Sequence, residues 1–276
     1  MPEQSRDRGN GALAHQILVF AYHKSGSSLF EKVMGRIAAR FGWQVATRYG
    51  RVLDLDRQTD IFILSHSLLG LTLRRPYRGV RIIRDPRDIW VSGYLYHRHC
   101  SEGWCISTDF NLAPPILFPR VDFSVQHRPE RWKRDSIKRL GGRSYQQNLL
   151  ERDRADGLAF ELAGYTGATL DAMRLWSPKP EVIDVQLEQV SASFDSTMLR
   201  VFRHLGFDEA QCAAALAEAA AEDVARMDDA VVASNAHIHS RTLSKWRDVL
   251  TAAQVAGFES RYADLITGLG YELSGT

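Results

Sequence analysis

The segment ILVFAYHKSGSSLF, Ile17 to Phe30, admits few architectures. An apolar strand from Ile17 to Tyr22 runs into His23, Lys24, Ser25, Gly26, Ser27 and Ser28, after which a helical pattern opens. A strand, a tight turn of small residues and a helix start turn backbone N–H groups toward one point, and the helix adds the positive end of its dipole. Lys24 brings a point charge to that turn and the serine hydroxyls bring further donors. The loop differs from the GxxxxGK[ST] loop of nucleoside triphosphatases, because here the lysine precedes the glycine.

A second segment, GVRIIRDPRDIWVSGYLYH from Gly79 to His97, has the same character. Val80 to Ile83 reads as a strand ending at Arg84, and Asp85, Pro86 and Arg87 open a helix that carries Ser92. An arginine fork donates two parallel hydrogen bonds to phosphate oxygens, so Arg84 and Ser92 suit a single phosphate. Between these segments, Ile61 to Ser65 reads as a buried parallel strand whose end opens at His66. Ligands of open parallel sheets bind beyond the carboxyl ends of the strands, where all three segments finish. A ligand with two separate phosphate-like groups would occupy both loops.

These segments resemble the nucleotide-binding motifs of the sulfotransferase family, which transfers a sulfuryl group from 3′-phosphoadenosine 5′-phosphosulfate (PAPS). HKSGSS is similar to the family's 5′-phosphosulfate loop, and RIIRDPRDIWVSGYLYH to its 3′-phosphate motif, with Arg84 and Ser92 in the phosphate-binding places. LSKWRDVLT, Leu243 to Thr251, is similar to the GxWRxxLT segment, and ILSHS, Ile63 to Ser67, to the segment that ends in a catalytic histidine. The resemblance covers the N-terminal third and a C-terminal patch, with a fainter echo between Val182 and Phe207.

The resemblance implies an α/β fold, a P-loop-like central parallel sheet flanked by helices in a single domain. It also implies PAPS as sulfuryl donor with no metal, and a hydroxyl acceptor on a small molecule, carbohydrate or lipid. His66 would serve as the base and Lys24 would neutralise the leaving oxygen, while Lys24, Ser25, Gly26, Ser27, Ser28, Arg84 and Ser92 would hold the donor. The chain departs from the family at Leu29, where a tryptophan commonly stacks on adenine, and at Asp184 to Leu187, which read DVQL in place of a YEDL-like tetrad. His239, Ser240 and Arg241 replace a basic RKG run; Arg241 is the candidate second contact to the 3′-phosphate, and Trp246 a candidate face for the adenine. The dimer motif KxxxTVxxxE is reduced to Arg247, Thr251, Ala252 and Ala256, so that mode of pairing is unsupported and the oligomeric state stays open.

A chain of 276 residues, 45% apolar, suits one large α/β domain. We expect a flexible segment over 1–16, the α/β domain over 17–276, and acceptor-site loops and helices over about 100–180. A net charge of +2 gives no reason to expect nucleic acid as a partner. No stretch approaches the roughly 20 apolar residues that span a bilayer, and the polar start does not read as a signal peptide, so the expected compartment is the cytoplasm. Three cysteines, Cys100, Cys105 and Cys212, fit a reducing compartment and no zinc motif, while the spacing leaves a Cys100–Cys105 pairing open.

Leu29 to Phe41 reads as an amphipathic helix closed by Gly42, and Trp43 to Thr47 as a strand. Cys100 to Val125 reads as a long loop whose aromatics, Trp104, Phe110 and Phe118, suit an acceptor cover. The basic run that follows, Arg128, Arg131, Lys133, Arg134, Lys138, Arg139 and Arg143, reads as a solvated helical face or as a surface for an anionic acceptor. Gly157 to Trp176, Phe194 to Leu205 and Cys212 to Met227 read as helices and Glu181 to Val185 as a strand. Two other functions compete: a P-loop-type kinase, which needs GK[ST] and a Mg²⁺ ligand pattern, and a catalytically inactive nucleotide-binding protein of the same fold.

Overall fold

Strand β1 (Gln16–Ala21) is buried along its whole length, and its side chains alternate between two cores. Ile17, Val19 and Ala21 face one layer while Leu18 and Phe20 face the other, the period-two pattern of a central strand covered on both sides. The computed structural model describes residues 13–69, 73, 75–108, 140–234 and 241–275. Around β1 stand β2 (Val45–Val52), β3 (Ile61–Leu69), β4 (Tyr77–Ile83) and β5 (Val182–Gln186), forming a parallel sheet of order β2-β3-β1-β4-β5. The expected α/β architecture with a central parallel sheet is therefore present. Because β1 is flanked by β3 on one side and β4 on the other, the strand order reverses there, the kind of point at which open parallel sheets bind ligands beyond the carboxyl ends of their strands.

Helix α1 (Ser27–Phe41) follows β1 and buries Phe30, Val33, Met34, Ile37 and Ala38, the spacing of one apolar helical face. Gly26 caps its start at φ 110°, a left-handed conformation that glycine adopts without steric cost. A Cβ at Gly26 would also lie 3.0 Å from Leu187 Cδ1, so the DVQL segment packs directly on the loop. Helix α2 (Pro86–His97) begins with Asp85 as N-cap, whose carboxylate accepts from the Arg87 N–H at 2.9 Å, and with proline at its first position. Most of α2 is buried, in a second core with the helices Tyr145–Leu150, Arg154–Ala163, Tyr165–Arg174 and Ala252–Gly268.

Several boundaries differ from those read in the sequence. The chain is already anchored before Ile17: His15 Nε2 lies 2.8 Å from the Leu205 carbonyl, and Gln16 Nε2 donates to Asp56 and Thr59 carbonyls at 2.9 and 2.8 Å. Residues 1–12, the rest of the expected flexible segment, lie outside the described residues. Trp43 belongs to the core, stacked on Phe41 and edge-on to Phe207, and the strand begins only at Val45. The helix expected over Gly157 to Trp176 is two helices meeting at Gly164, where a Cβ would lie 2.7 Å from Tyr145 Oη; the close approach of that tyrosine breaks the helix. The helix expected from Cys212 to Met227 runs from Glu209 to Ala219 and gives way to two 3₁₀ turns.

The end of the chain fastens the start of α2. Arg87 donates to Glu259 Oε1 at 2.6 Å and to the Glu272 carbonyl at 3.0 Å. Tyr271 Oη donates to Glu188 Oε2 at 2.6 Å, and the other Glu188 oxygen accepts from the Asp85 N–H at 3.1 Å. Among the described residues no helix is long and apolar enough to cross a membrane.

Candidate functional site

The two anion-adapted loops meet at the carboxyl ends of β1 and β4. Arg84, only 6% exposed, donates from Nη1 to the Lys24 carbonyl at 3.1 Å, so the second loop grips the backbone of the first. Its Nη2 lies 3.9 Å from Asp88 Oδ2, and its Nε has no partner among the described residues.

Lys24 occupies the left-handed region at φ 59°, a conformation uncommon for a non-glycine residue and found where a turn is over-determined by its surroundings. Its Nζ lies 4.0 Å above the Tyr96 ring, a cation–π contact. Burial and repulsion from Arg84 and Lys245 push the Lys24 ammonium down to about 8. Burial and Arg84 lower Lys245 in turn. Lys24, Arg84 and Lys245 are therefore close enough to oppose one another's charge, as cations gathered for a polyanion must.

The sequence motifs point to Arg241 rather than to Lys245. Arg241 is exposed and engages the Asp229 carboxylate and the carbonyls of Val224 and Met227. The structure thus gives that guanidinium other partners than the Arg84 loop. Trp246 is 4% exposed and lies between the guanidinium groups of Arg87 and Arg247, at 4.1 and 4.3 Å from its ring centroid. Its faces are taken, so it does not rebuild an adenine platform.

Asp88 holds the segment that delivers Lys245. Its two carboxylate oxygens accept from the Ser244 and Trp246 N–H groups at 2.6 and 3.1 Å, and burial drives the carboxyl up to about 6 against the pull of Arg84. Asp88→Ala removes the acceptor for two N–H groups and the counter-charge of a buried arginine. We expect a loss of about 3–5 kcal/mol in folding free energy, read from urea unfolding; a loss below about 1 kcal/mol would show that Asp88 does not carry this segment.

The serines divide. Ser25 is fully buried, and its hydroxyl accepts from the Tyr22 N–H at 2.9 Å and donates to the Tyr22 carbonyl at 3.0 Å. That hydroxyl closes the loop and is not free to meet a ligand. Ser27 and Ser28 begin α1 and are half-buried, with Gly26 before them, and Ser92 is half-buried on α2.

His66 is placed by an irregularity. β2 and β3 pair Tyr49 with Ser65 and then Gly50 with Ser67, so His66 is the extra residue of a β-bulge, at φ 52°. Bulges re-aim a side chain beside a site. His66 Nδ1 lies 3.4 Å from Tyr165 Oη, and its ring is edge-on to His23 at 5.2 Å between centroids. His23 is 5% exposed and stacks on His97 at 4.9 Å. His97 and Glu161 are both wholly buried and 2.9 Å apart, and Glu161 also accepts from Tyr145 Oη and Thr166 Oγ1 at 3.0 and 2.7 Å. The signal for this cluster was present in the sequence, since Glu161 is a lone acid within the apolar run GLAFELAGY.

Tyr96 donates to Glu102 Oε1 at 2.7 Å, and the Trp104 indole N–H donates to the other oxygen. Trp104 stacks on Tyr165 at 4.7 Å and begins the expected aromatic loop; Phe110 and Phe118 lie outside the described residues, as does the basic run except Arg143, which pairs with Glu151 at 2.6 Å. No group of histidine, cysteine and carboxylate side chains with the makings of a metal site occurs among the described residues.

No protein-family model matches the sequence, and no curated protein matches it significantly. In structure the chain is similar to a mouse sulfotransferase, SULT7A1, crystallised with PAP, at a TM-score of 0.51 and 13% identity over 94% of this chain and 87% of that one. It is also aligned with retinol dehydratase in complex with androsterone and inactive cofactor PAP, at a TM-score of 0.44 and 12% identity over 98% of this chain and 86% of that one. The first likeness shows that the chain has the sulfotransferase fold.

Proposed function

We propose that this protein transfers a sulfuryl group from PAPS to a hydroxyl of a small-molecule, carbohydrate or lipid acceptor. The observation that carries the reading is the grip of Arg84 on the Lys24 carbonyl, with Lys245 beside both. It joins two anion-adapted loops, each suited to one charged group of a ligand charged at two places. The fold supports it, and the SULT7A1 structure, which shares that fold, contains PAP.

The donor supplies a sulfuryl group already activated by its anhydride bond to phosphate. On that reading Arg84 and Ser92 bind the 3′-phosphate. The N–H groups at the start of α1, with Ser27 and Ser28, bind the 5′ end. His66 takes the proton from the acceptor hydroxyl as its oxygen forms a bond to sulfur. The sulfur–oxygen bond to the 5′-phosphate breaks, and the Lys24 ammonium neutralises the charge left on that oxygen. The loops hold attacking and leaving oxygens in line.

The direct test is calorimetric titration with adenosine 3′,5′-bisphosphate, with AMP and with ATP and Mg²⁺. Tight binding of the bisphosphate, weaker binding of AMP and no need for Mg²⁺ are expected; preference for ATP with Mg²⁺ would transfer the reading to a kinase. Arg84→Ala is expected to weaken bisphosphate binding by about 2 kcal/mol, roughly thirtyfold. An equal loss for AMP, which lacks the 3′-phosphate, would mean that Arg84 acts on the loop alone.

Binding should also move protons. Lys24 falls to about 8 in the free protein, and a bound polyanion favours its charged form and raises it again. Below that pH the lysine is already charged and binding takes up little; above it binding must recharge the amine, so affinity declines as pH rises. Calorimetry at pH 8.5 in buffers of different ionisation enthalpy (a pH about half a unit above the Lys24 midpoint) should show net proton uptake, reduced in Lys24→Met. Absence of uptake would mean that Lys24 does not meet the anion.

A further inference from the structure

Tyr165 opens the helix Tyr165–Arg174 directly after Gly164 and is buried. Its ring is held on three sides: Trp104 stacks on it at 4.7 Å, and His23 and His97 stand edge-on at 4.6 and 4.8 Å between centroids. Its backbone N–H donates to Tyr145 Oη at 3.2 Å, and Tyr145 Oη donates to Glu161 Oε2 at 3.0 Å, so the start of this helix hangs from a wholly buried carboxylate. Glu161 comes this close to α2 because Gly93 faces it, where a Cβ would lie 2.9 Å from Glu161 Oε1 and 2.6 Å from Thr166 Oγ1. With ring and backbone both braced, the phenol oxygen is fixed in place. It stands 3.4 Å from His66 Nδ1.

We infer that Tyr165 is the positioning residue of His66: its Oη accepts the Nδ1 proton and thereby leaves the lone pair of the neutral imidazole on Nε2. The two ring nitrogens of a histidine are not equivalent, and the one that carries the proton is set by the hydrogen bond it makes. The β-bulge aims the His66 side chain, the edge-on contacts to His23 at 5.2 Å and Tyr49 at 6.5 Å set the plane of the ring, and Tyr165 selects the nitrogen.

A phenol can donate or accept, and the chemistry of a base favours acceptance. A hydroxyl that donates to Nδ1 places the ring proton on Nε2 and would have to turn over once the ring became imidazolium. One that accepts serves both states: the neutral ring offers Nε2 to the acceptor hydroxyl, and the charged ring still directs its Nδ1–H at Tyr165. The contact also strengthens as the ring charges, because a hydrogen bond from an ionised donor is the stronger kind. No proton passes through Tyr165; the proton taken at Nε2 stays on the imidazole. The use of Nε2 as a base rests on the role proposed above for His66, whereas the tautomer does not.

The test is long-range ¹H–¹⁵N correlation NMR of the imidazole rings in the full chain, at a pH where His66 is neutral, with its signals assigned by their loss in His66→Asn. Wild type should carry the proton on Nδ1. Tyr165→Phe removes one oxygen and keeps the packed ring, and should move the His66 proton to Nε2. Tyr262→Phe is the control: it makes the same change in the same core, at a buried hydroxyl with no hydrogen-bond partner among the described residues, and should leave the His66 signals where they are. In turnover, Tyr165→Phe should lower kcat about tenfold, the worth of one neutral hydrogen bond, with the acceptor KM and bisphosphate affinity unchanged. A wild-type ring protonated on Nε2, a tautomer unmoved by Tyr165→Phe, or an equal shift in Tyr262→Phe would each overturn the inference. If the tautomer behaves as expected while the bisphosphate fails to bind, the assignment of Tyr165 to His66 stands and the sulfotransferase reading falls.

Discussion

Lys24→Met is expected to lower kcat about a thousandfold while weakening bisphosphate binding far less. Removing a single donor that stabilises charge on an oxygen in the transition state typically costs about 10²–10³ in rate, and a full positive charge in a half-buried site belongs at the upper end. The substitution keeps the length of the side chain, so the loop, held by Ser25, Gly26 and Arg84, should keep its shape. The readout is the ratio of the two effects. Equal losses in binding and turnover would make Lys24 an ordinary anion contact and remove it from the transfer step.

His66→Asn should reduce turnover about 10²–10⁴-fold, the span over which general bases contribute, and leave bisphosphate affinity unchanged. Asparagine tolerates the left-handed φ that this position requires, so the bulge should survive and the loss should be chemical. The remaining activity should no longer rise with pH through the range where imidazole titrates. A variant that keeps wild-type turnover, or that loses donor binding in the same proportion, would show that His66 orders the strand end and takes no proton.

How readily each part of this site could be read follows from how local its cause is. The strand, turn and helix from Ile17 to Phe30 are set by near neighbours in sequence: period-two burial, a glycine in a left-handed turn, and an apolar helical stripe. The same holds for β4 and α2, where Asp85 and Pro86 mark the helix start without outside help. His66 was legible as the end of an apolar strand, but the bulge that turns it arises only when β2 pairs with β3. Lys245 and Trp246 are settled by Asp88, more than 150 positions away in sequence, which accepts from the Ser244 and Trp246 N–H groups on either side of Lys245. Arg241, chosen by motif register, illustrates the opposite case: a basic residue in the right stretch whose guanidinium is spent on Asp229 and nearby carbonyls. Local rules place a backbone well, whereas the partner of a charged side chain is decided by the whole packed chain.

The fastening of Asp85 and Arg87 by Glu188, Glu259, Tyr271 and Glu272 has a consequence for biosynthesis. Strands β1, β3 and β4 and both anion-adapted loops are made early, yet Glu259, Tyr271 and Glu272, which fasten the entrance to α2 directly or through Glu188, are translated long after them. While these remain within the ribosome, β4 can pair with β1 but the entrance to α2 lacks its outer partners. On the function proposed above, competence to hold a doubly charged nucleotide should therefore arrive abruptly, as the segment after Gly268 leaves the ribosome, rather than growing with chain length.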